Sequence, residues 1–201
     1  MAISDRNVTV YGRLSYPDLF IPRAVAEDSD VKKYGATILI PKTDTDTIQR
    51  VQTAVQAAVT HGVDTGKFKQ PIDPNHTKYP PLRDGDAPNA NGEPRGPEFA
   101  GHWFIAAKAS ESKPPMVVDG QRQPIIDQTE VYAGCYVNVA VEFFPYSHNT
   151  GGKGISCSLI GVQKAKDGEP LGGGKVEVDD VFSIVPNTST TPAAPTGGMG
   201  F

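Results

Sequence analysis

The chain has 201 residues, a formal net charge of -4, 38% hydrophobic residues and 21% charged residues. Gly (21) and Pro (18) make up about a fifth of it, against a usual share of roughly 12%, which disfavours a helical bundle and points to short strands joined by many turns. No run approaches the ~18 apolar residues of a membrane helix. The opening MAISDRNVTVYGRL lacks an apolar signal core, and Cys135 and Cys157 are too few for a disulfide framework or a Cys-rich zinc site. The expectation is a reduced, cytoplasmic setting in which both thiols act as small hydrophobes.

The first expected strand is NVTVYGRL, with Val8, Val10 and Leu14 on one face and Thr9, Tyr11 and Arg13 on the other. The following SYPDLFIPRAVAEDSD holds Pro17 and Pro22 and predicts an irregular or edge segment. KYGATILIPK is apolar on both faces and predicts a central strand ended by Pro41. In TDTDTIQRVQTAVQAAVTHG, Ile48, Val51, Val55 and Val59 recur at helical spacing. Asp44 and Asp46 suit the start of that helix, and Gly62 is its expected stop. Seven prolines and three glycines over residues 71–98 predict a long functional or draped loop.

Strands resume at GHWFIAAKAS, and PPMVVDG with QPIID predicts a hairpin around Gly120. EVYAGCYVNVAVEFFPY alternates Cys135, Val137, Val139, Val141 and Phe143 against Tyr136, Asn138, Ala140, Glu142 and Phe144. Its expected partner is GISCSLIGVQKAK, across the glycine-rich tip SHNTGGKG. KVEVDDVFSIV predicts a short strand or helix. Residues 186–201, uncharged and rich in Pro, Thr, Ala and Gly, predict a disordered tail after a domain of residues 1–185. This order predicts a mainly β fold with one clear α-helix, an OB-type β-barrel with inserted loops. A β-sandwich with one helix is the alternative.

Residues for catalysis do not converge. His61, His76, His102 and His148 are scattered outside any paired metal motif. GGKG at 151–154 and GGGK at 172–175 fail the phosphate-loop pattern, the first because Ser147 stands where a glycine is required. Asp84 and Asp86, or Asp179 and Asp180, suit turns and solvated edges better than a metal. No enzyme, metal or cofactor is expected. A metal-dependent nuclease using Asp84, Asp86 or Glu130 stands as a rival reading.

A single-strand binder needs cations along a groove and exposed aromatic faces on which bases stack. The expected phosphate contacts are Arg13, Lys32, Lys33, Lys108, Arg122 and Lys153. The expected stacking residues come from Tyr11, Tyr16, Trp103, Tyr136 and Tyr146. Trp103 and Phe104 are adjacent and face opposite sides of a strand, so one of them is core; Tyr34, Phe143 and Phe144 are expected in the core as well. Residues 167–185 carry one Lys and five acidic residues, and the acidic 177–180 segment is expected to compete for the groove.

Several of these stretches carry a resemblance. RLSYPDLFIPRA, KYGATILIPKTD, PLRDGD, FAGHWFIAAKAS, VYAGCYVNVAVEFFPY and GGKGISCSLIGVQKAKDGEPLGGG, in this order over about residues 10–182, resemble a family of phage single-stranded DNA-binding proteins once filed as a domain of unknown function. The resemblance implies an OB-fold core and noncatalytic, sequence-nonspecific binding of single-stranded DNA in phage replication or recombination. It implies residence in the cytoplasm of the infected bacterium, with phage or host replication and recombination proteins as candidate partners. The alternative is a phage structural or assembly module that uses the barrel without binding DNA.

Overall fold

The computed structural model describes residues 4–27, 29–148 and 152–172. KVEVDDVFSIV, the acidic 177–180 segment and the 186–201 tail lie outside them. The elements are β1 (Asn7–Ala24), β2 (Lys32–Pro41), α1 (Thr45–Asp64), β3 (Arg83–Asp84), β4 (His102–Ser110), β5 (Met116–Val118), β6 (Tyr136–His148) and β7 (Gly152–Lys166). Antiparallel neighbours run β4–β2–β1–β6–β7, and a parallel pairing of Lys108 with Ser158 joins β4 to β7. The sheet thereby closes into a five-stranded OB-type barrel. β3 and β5 are short additions at its edges.

The segment after Leu14, expected to be irregular or at an edge, is both, and it continues the first strand. β1 runs 18 residues, pairing with β6 through Asn7–Arg13 and with β2 from Arg13 to Ala24. Pro17 and Pro22 fall in the half that has β2 as its one neighbour, where the register slips between Ser15 and Asp18 and again between Asp18 and Arg23. A strand that pairs on one side and bulges tolerates residues without an amide donor, so the prolines bend β1 without ending it.

Alternation fills the barrel. Val10, Leu14, Ile38, Ile40, Ile105, Val137, Val139, Val141 and Phe143 are fully buried in one cluster. β2 is apolar on both faces for a visible reason: Leu39 points outward into a second cluster with Phe99 and Phe104. Tyr34 packs half-buried against the main core, as expected. Phe144 does not join it; one step beyond Phe143, it faces out and is 37% exposed.

α1 lays Val51, Ala54, Val55, Ala58 and Val59 on the barrel interior. Asp44 caps it by accepting from the Thr47 amide at 3.1 Å. Gly62 is not the stop. The helix continues to Asp64 and ends at Thr65, and Gly66 takes the left-handed conformation (φ 71°). Gly62 is instead a packing glycine, where a Cβ would collide with the Phe68 ring.

The predicted 114–127 hairpin is shorter than expected. Met116–Val118 forms the one strand, parallel to β7, and the return arm is held by the Ile125 amide on the Val117 carbonyl at 3.0 Å. Pro124 has no donor with which to extend the ladder. Asp119 ties the turn by accepting from the amides of Gln121 and Gln123, both at 2.8 Å.

The proline-rich loop contains β3 and is pinned to the barrel. Lys42 Nζ lies 2.6 Å from Asp84 and 2.7 Å from Asp86, and Asp86 accepts from the Gly101 amide at 2.9 Å. The hydrogen bond from Lys42 holds both carboxyls below the ordinary aspartate range and raises the Lys42 ammonium. Depressed carboxyls contribute stability above the unfolded aspartate value of about 3.9, and lose it as pH falls through their folded values. An Asp84→Asn/Asp86→Asn double variant is therefore expected to melt below the parent at pH 6. The gap should close toward pH 2, as thermal melts across that range would show.

Candidate nucleic-acid interface

The outward residues of β1, β6 and β7 form the first half of the interface. Tyr11 sits opposite Asn138, and Arg13 opposite Tyr136. The Tyr11 and Tyr136 rings stack, with centroids 6.0 Å apart and planes within 15°. Tyr136 is also opposite Lys166 of β7, whose Nζ lies 4.6 Å from the Tyr136 centroid. Tyr11 is 39% exposed, so a ring face is open to a further partner. Arg13 is held in place by the chain itself, donating from Nε to the Gly134 carbonyl at 3.2 Å and from Nη2 to the Glu169 carbonyl at 2.5 Å.

Beside the tyrosines, Asn138 donates to Gln163 at 3.2 Å, and Gln163 donates to the Asp119 carbonyl at 3.2 Å. The 119–123 turn is thus fastened next to this face. It carries Arg122, exposed and in the left-handed region (φ 65°).

The second half lies across β1. Arg13 is in register with Leu39, and Leu39 with Phe104. Phe99 meets Phe104 edge-on at 5.0 Å, and Tyr16, 66% exposed, stacks on Phe99 at 6.4 Å. The Arg95 guanidinium lies 4.7 Å from the Phe104 centroid and 5.9 Å from that of Phe99; Arg83 lies 4.9 Å from Phe104. Leu171, beyond β7, packs against this aromatic cluster. One strip of the outer wall therefore joins Lys166, Tyr136, Tyr11 and Arg13 to Tyr16, Phe104, Arg83 and Arg95.

The other expected residues stand as follows. Lys33 and Lys108 are exposed on the outer face of β2 and β4, opposite Ser110 and Gly35 respectively, further along the same wall. Lys32 is exposed at the start of β2. Trp103 turns inward and packs half-buried against the core, with Lys42 Nζ 5.4 Å from its centroid. Tyr146 and Lys153 belong to the β6–β7 tip, where Tyr146 is half-buried opposite Gly154 and its ring lies 5.7 Å from that of His148. Ten residues of strand separate Tyr136 from Tyr146, about 33 Å. The structure thus gathers Tyr11, Arg13, Tyr16, Tyr136 and Arg122 and leaves Tyr146 and Lys153 apart.

Arg83, Arg95, Phe99, Asn138, Gln163 and Lys166 are absent from the sequence-based set. Alternation along β7 against β6 carries a signal for Lys166 and Gln163; Arg83, Arg95 and Phe99 sit in or beside the loop where periodicity is silent. Lys164, one turn of the pleat away, is instead paired with Asp167 at 2.8 Å. Burial pushes both the Cys135 and Cys157 thiols up, in keeping with their role as small hydrophobes. Of the carboxylates in the nuclease reading, Asp84 and Asp86 share Lys42, while Glu130 sits in a separate turn at Gln128–Glu130.

The closed barrel and its aromatic, cationic outer strip define an OB-type nucleic-acid-binding protein. The family described as the ssDNA-binding protein of Enterobacter phage Enc34 matches residues 6–191, and the chain belongs to that family. It is 36% identical over 177 residues to putative protein p50 of Acyrthosiphon pisum secondary endosymbiont phage 1, covering 84% of this chain and 90% of that one. The single-stranded DNA-binding protein of bacteriophage Enc34, solved in complex with ssDNA, superposes with a TM-score of 0.67 at 26% identity, covering 84% of this chain and 90% of that chain. The likeness to gp2.5, a single-stranded DNA binding protein encoded by bacteriophage T7, is one of fold: TM-score 0.56 at 15% identity, over 90% and 98% of the two chains.

Proposed function

We propose that this protein binds single-stranded DNA without sequence preference, and without catalysis, in phage replication or recombination. The site of action is the cytoplasm of the infected bacterium, and phage or host replication and recombination proteins are its further partners. The observation that carries the reading is the stacked Tyr11–Tyr136 pair flanked by Lys166 and Arg13 on the outer barrel wall. Every base has a π-face, so such a platform accepts any sequence; cations beside it meet the backbone. Among the described residues no helix is long and apolar enough to cross a membrane.

The test is fluorescence anisotropy of a labelled ~30-mer oligo-dT at three salt concentrations, with duplex DNA as competitor. The expected result is binding that duplex fails to displace and that weakens with salt, log K falling by about 0.7 per phosphate contact for each unit of log salt. No binding at low salt would overturn the reading and favour the assembly-module alternative.

A further inference from the structure

Arg83 and Arg95 share one ring, their guanidinium groups lying 4.9 and 4.7 Å from the Phe104 centroid, and each feels the other's charge. Among the described residues neither forms an ion pair, although six other pairs are present. Arg95 donates from Nε and Nη2 to the backbone carbonyls of Ala87 and Pro88, at 3.1 and 3.4 Å. These bonds fix the side chain but bring no opposite charge. Arg83 is more costly still, since its Nε is buried without any hydrogen-bond partner. Burial draws the Arg83 guanidinium below its ordinary range, and the charge of Arg95 adds to the effect.

A half-buried cation without a counter-charge, set against a second cation, destabilises a fold. The strain is relieved when an anion completes the site. Guanidinium groups match the geometry of phosphate oxygens, and two together suit a doubly contacted phosphodiester. Tyr16, stacked on Phe99 beside Arg95, supplies an open ring for the base next to that phosphate. We propose that Arg83 and Arg95, seated on Phe104, form a phosphate seat that takes one phosphodiester of the bound strand. The proposal rests on the single-strand-binding reading and gives it an anchor point.

Two substitutions in the full chain test it, Arg83→Met and Arg95→Gln. Arg83→Met replaces the uncompensated charge by an apolar chain of similar length, so the DNA-free protein should melt at a higher temperature. The same change should weaken oligo-dT binding about tenfold, the loss of a charge-assisted contact. Each variant should also flatten the log K against log salt slope by about 0.7. Greater stability joined to lower affinity is a signature that a purely structural arginine does not give. Unchanged affinity and slope in both variants, with the parent binding normally, would overturn the phosphate seat alone. So would an Arg83→Met protein that loses stability and affinity together while Arg95→Gln binds like the parent. A parent protein that fails to bind at low salt would overturn both readings at once.

Discussion

Replacing both Tyr11 and Tyr136 with alanine is expected to weaken oligo-dT binding by at least about tenfold while leaving its salt dependence intact. Base–aromatic stacking is worth about 1–3 kcal/mol per base by alanine substitution. The two rings form one stack, 6.0 Å between centroids, so the loss in the double variant should be smaller than the sum of the single losses. The slope against salt should hold because phenol rings neutralise no phosphate. That separates this pair from Arg83 and Arg95, whose removal acts on the slope. Anisotropy titrations of the parent, the two singles and the double at two salt concentrations give both numbers. Binding of the double variant within twofold of the parent would remove the tyrosine stack from the interface.

The second large effect concerns the wall that carries the stack. Phe143 is fully buried in the barrel and Phe144, its neighbour, faces outward. Phe143→Ala should destabilise the protein by about 3–5 kcal/mol, since it removes a large ring and leaves a cavity that β6 and α1 cannot fill. Phe144→Ala should cost less than about 1 kcal/mol, as a surface change away from caps and buried networks. Urea unfolding of the two variants checks both values, and it checks the β6 register as well. A one-residue slip would exchange the two results, because it turns every side chain of β6 to the other face.

The parts of this molecule that local pattern determines are the parts that could be read from the chain. The apolar run Val137–Val139–Val141–Phe143 exposes its own period, and so does the helical row Val51–Val55–Val59. Pro17 and Pro22 correctly mark an edge at β1, because a missing amide is ruinous only where a neighbour asks for it. That this edge half continues the strand that pairs with β6 is a fact of topology that no local window contains. Barrel closure is equally hidden, resting on the single Lys108–Ser158 pairing between strands remote in sequence.

The interface divides along the same line. Alternation in β1 sets Tyr11 and Arg13 on the outer face, and alternation in β6 does the same for Tyr136. That the two tyrosines meet depends on the register between β1 and β6, and that Lys166 covers one of them depends on β6 and β7. Trp103 shows the reverse. Its type marks it as a stacking residue, but its parity on β4 matches the inward Ile105, and it turns toward the core. Arg83 and Arg95 come from the proline-rich loop, where position in space follows from tethers such as Lys42 to Asp84 and Asp86.

An unsatisfied strand edge is a template on which another chain can add a strand, and proteins guard against it. The far half of β1 is such an edge. A coating protein of the kind proposed above gathers many copies along one thread of nucleic acid, and local concentration then favours accidental zippering between neighbours. Pro17 and Pro22 carry no amide hydrogen to offer such a partner, the register slips on either side of Asp18 interrupt the regular ladder, and Asp18 pairs with Arg23 to keep charge on this stretch. The bends in β1 thus act as insulation, letting copies crowd side by side without fusing into a common sheet.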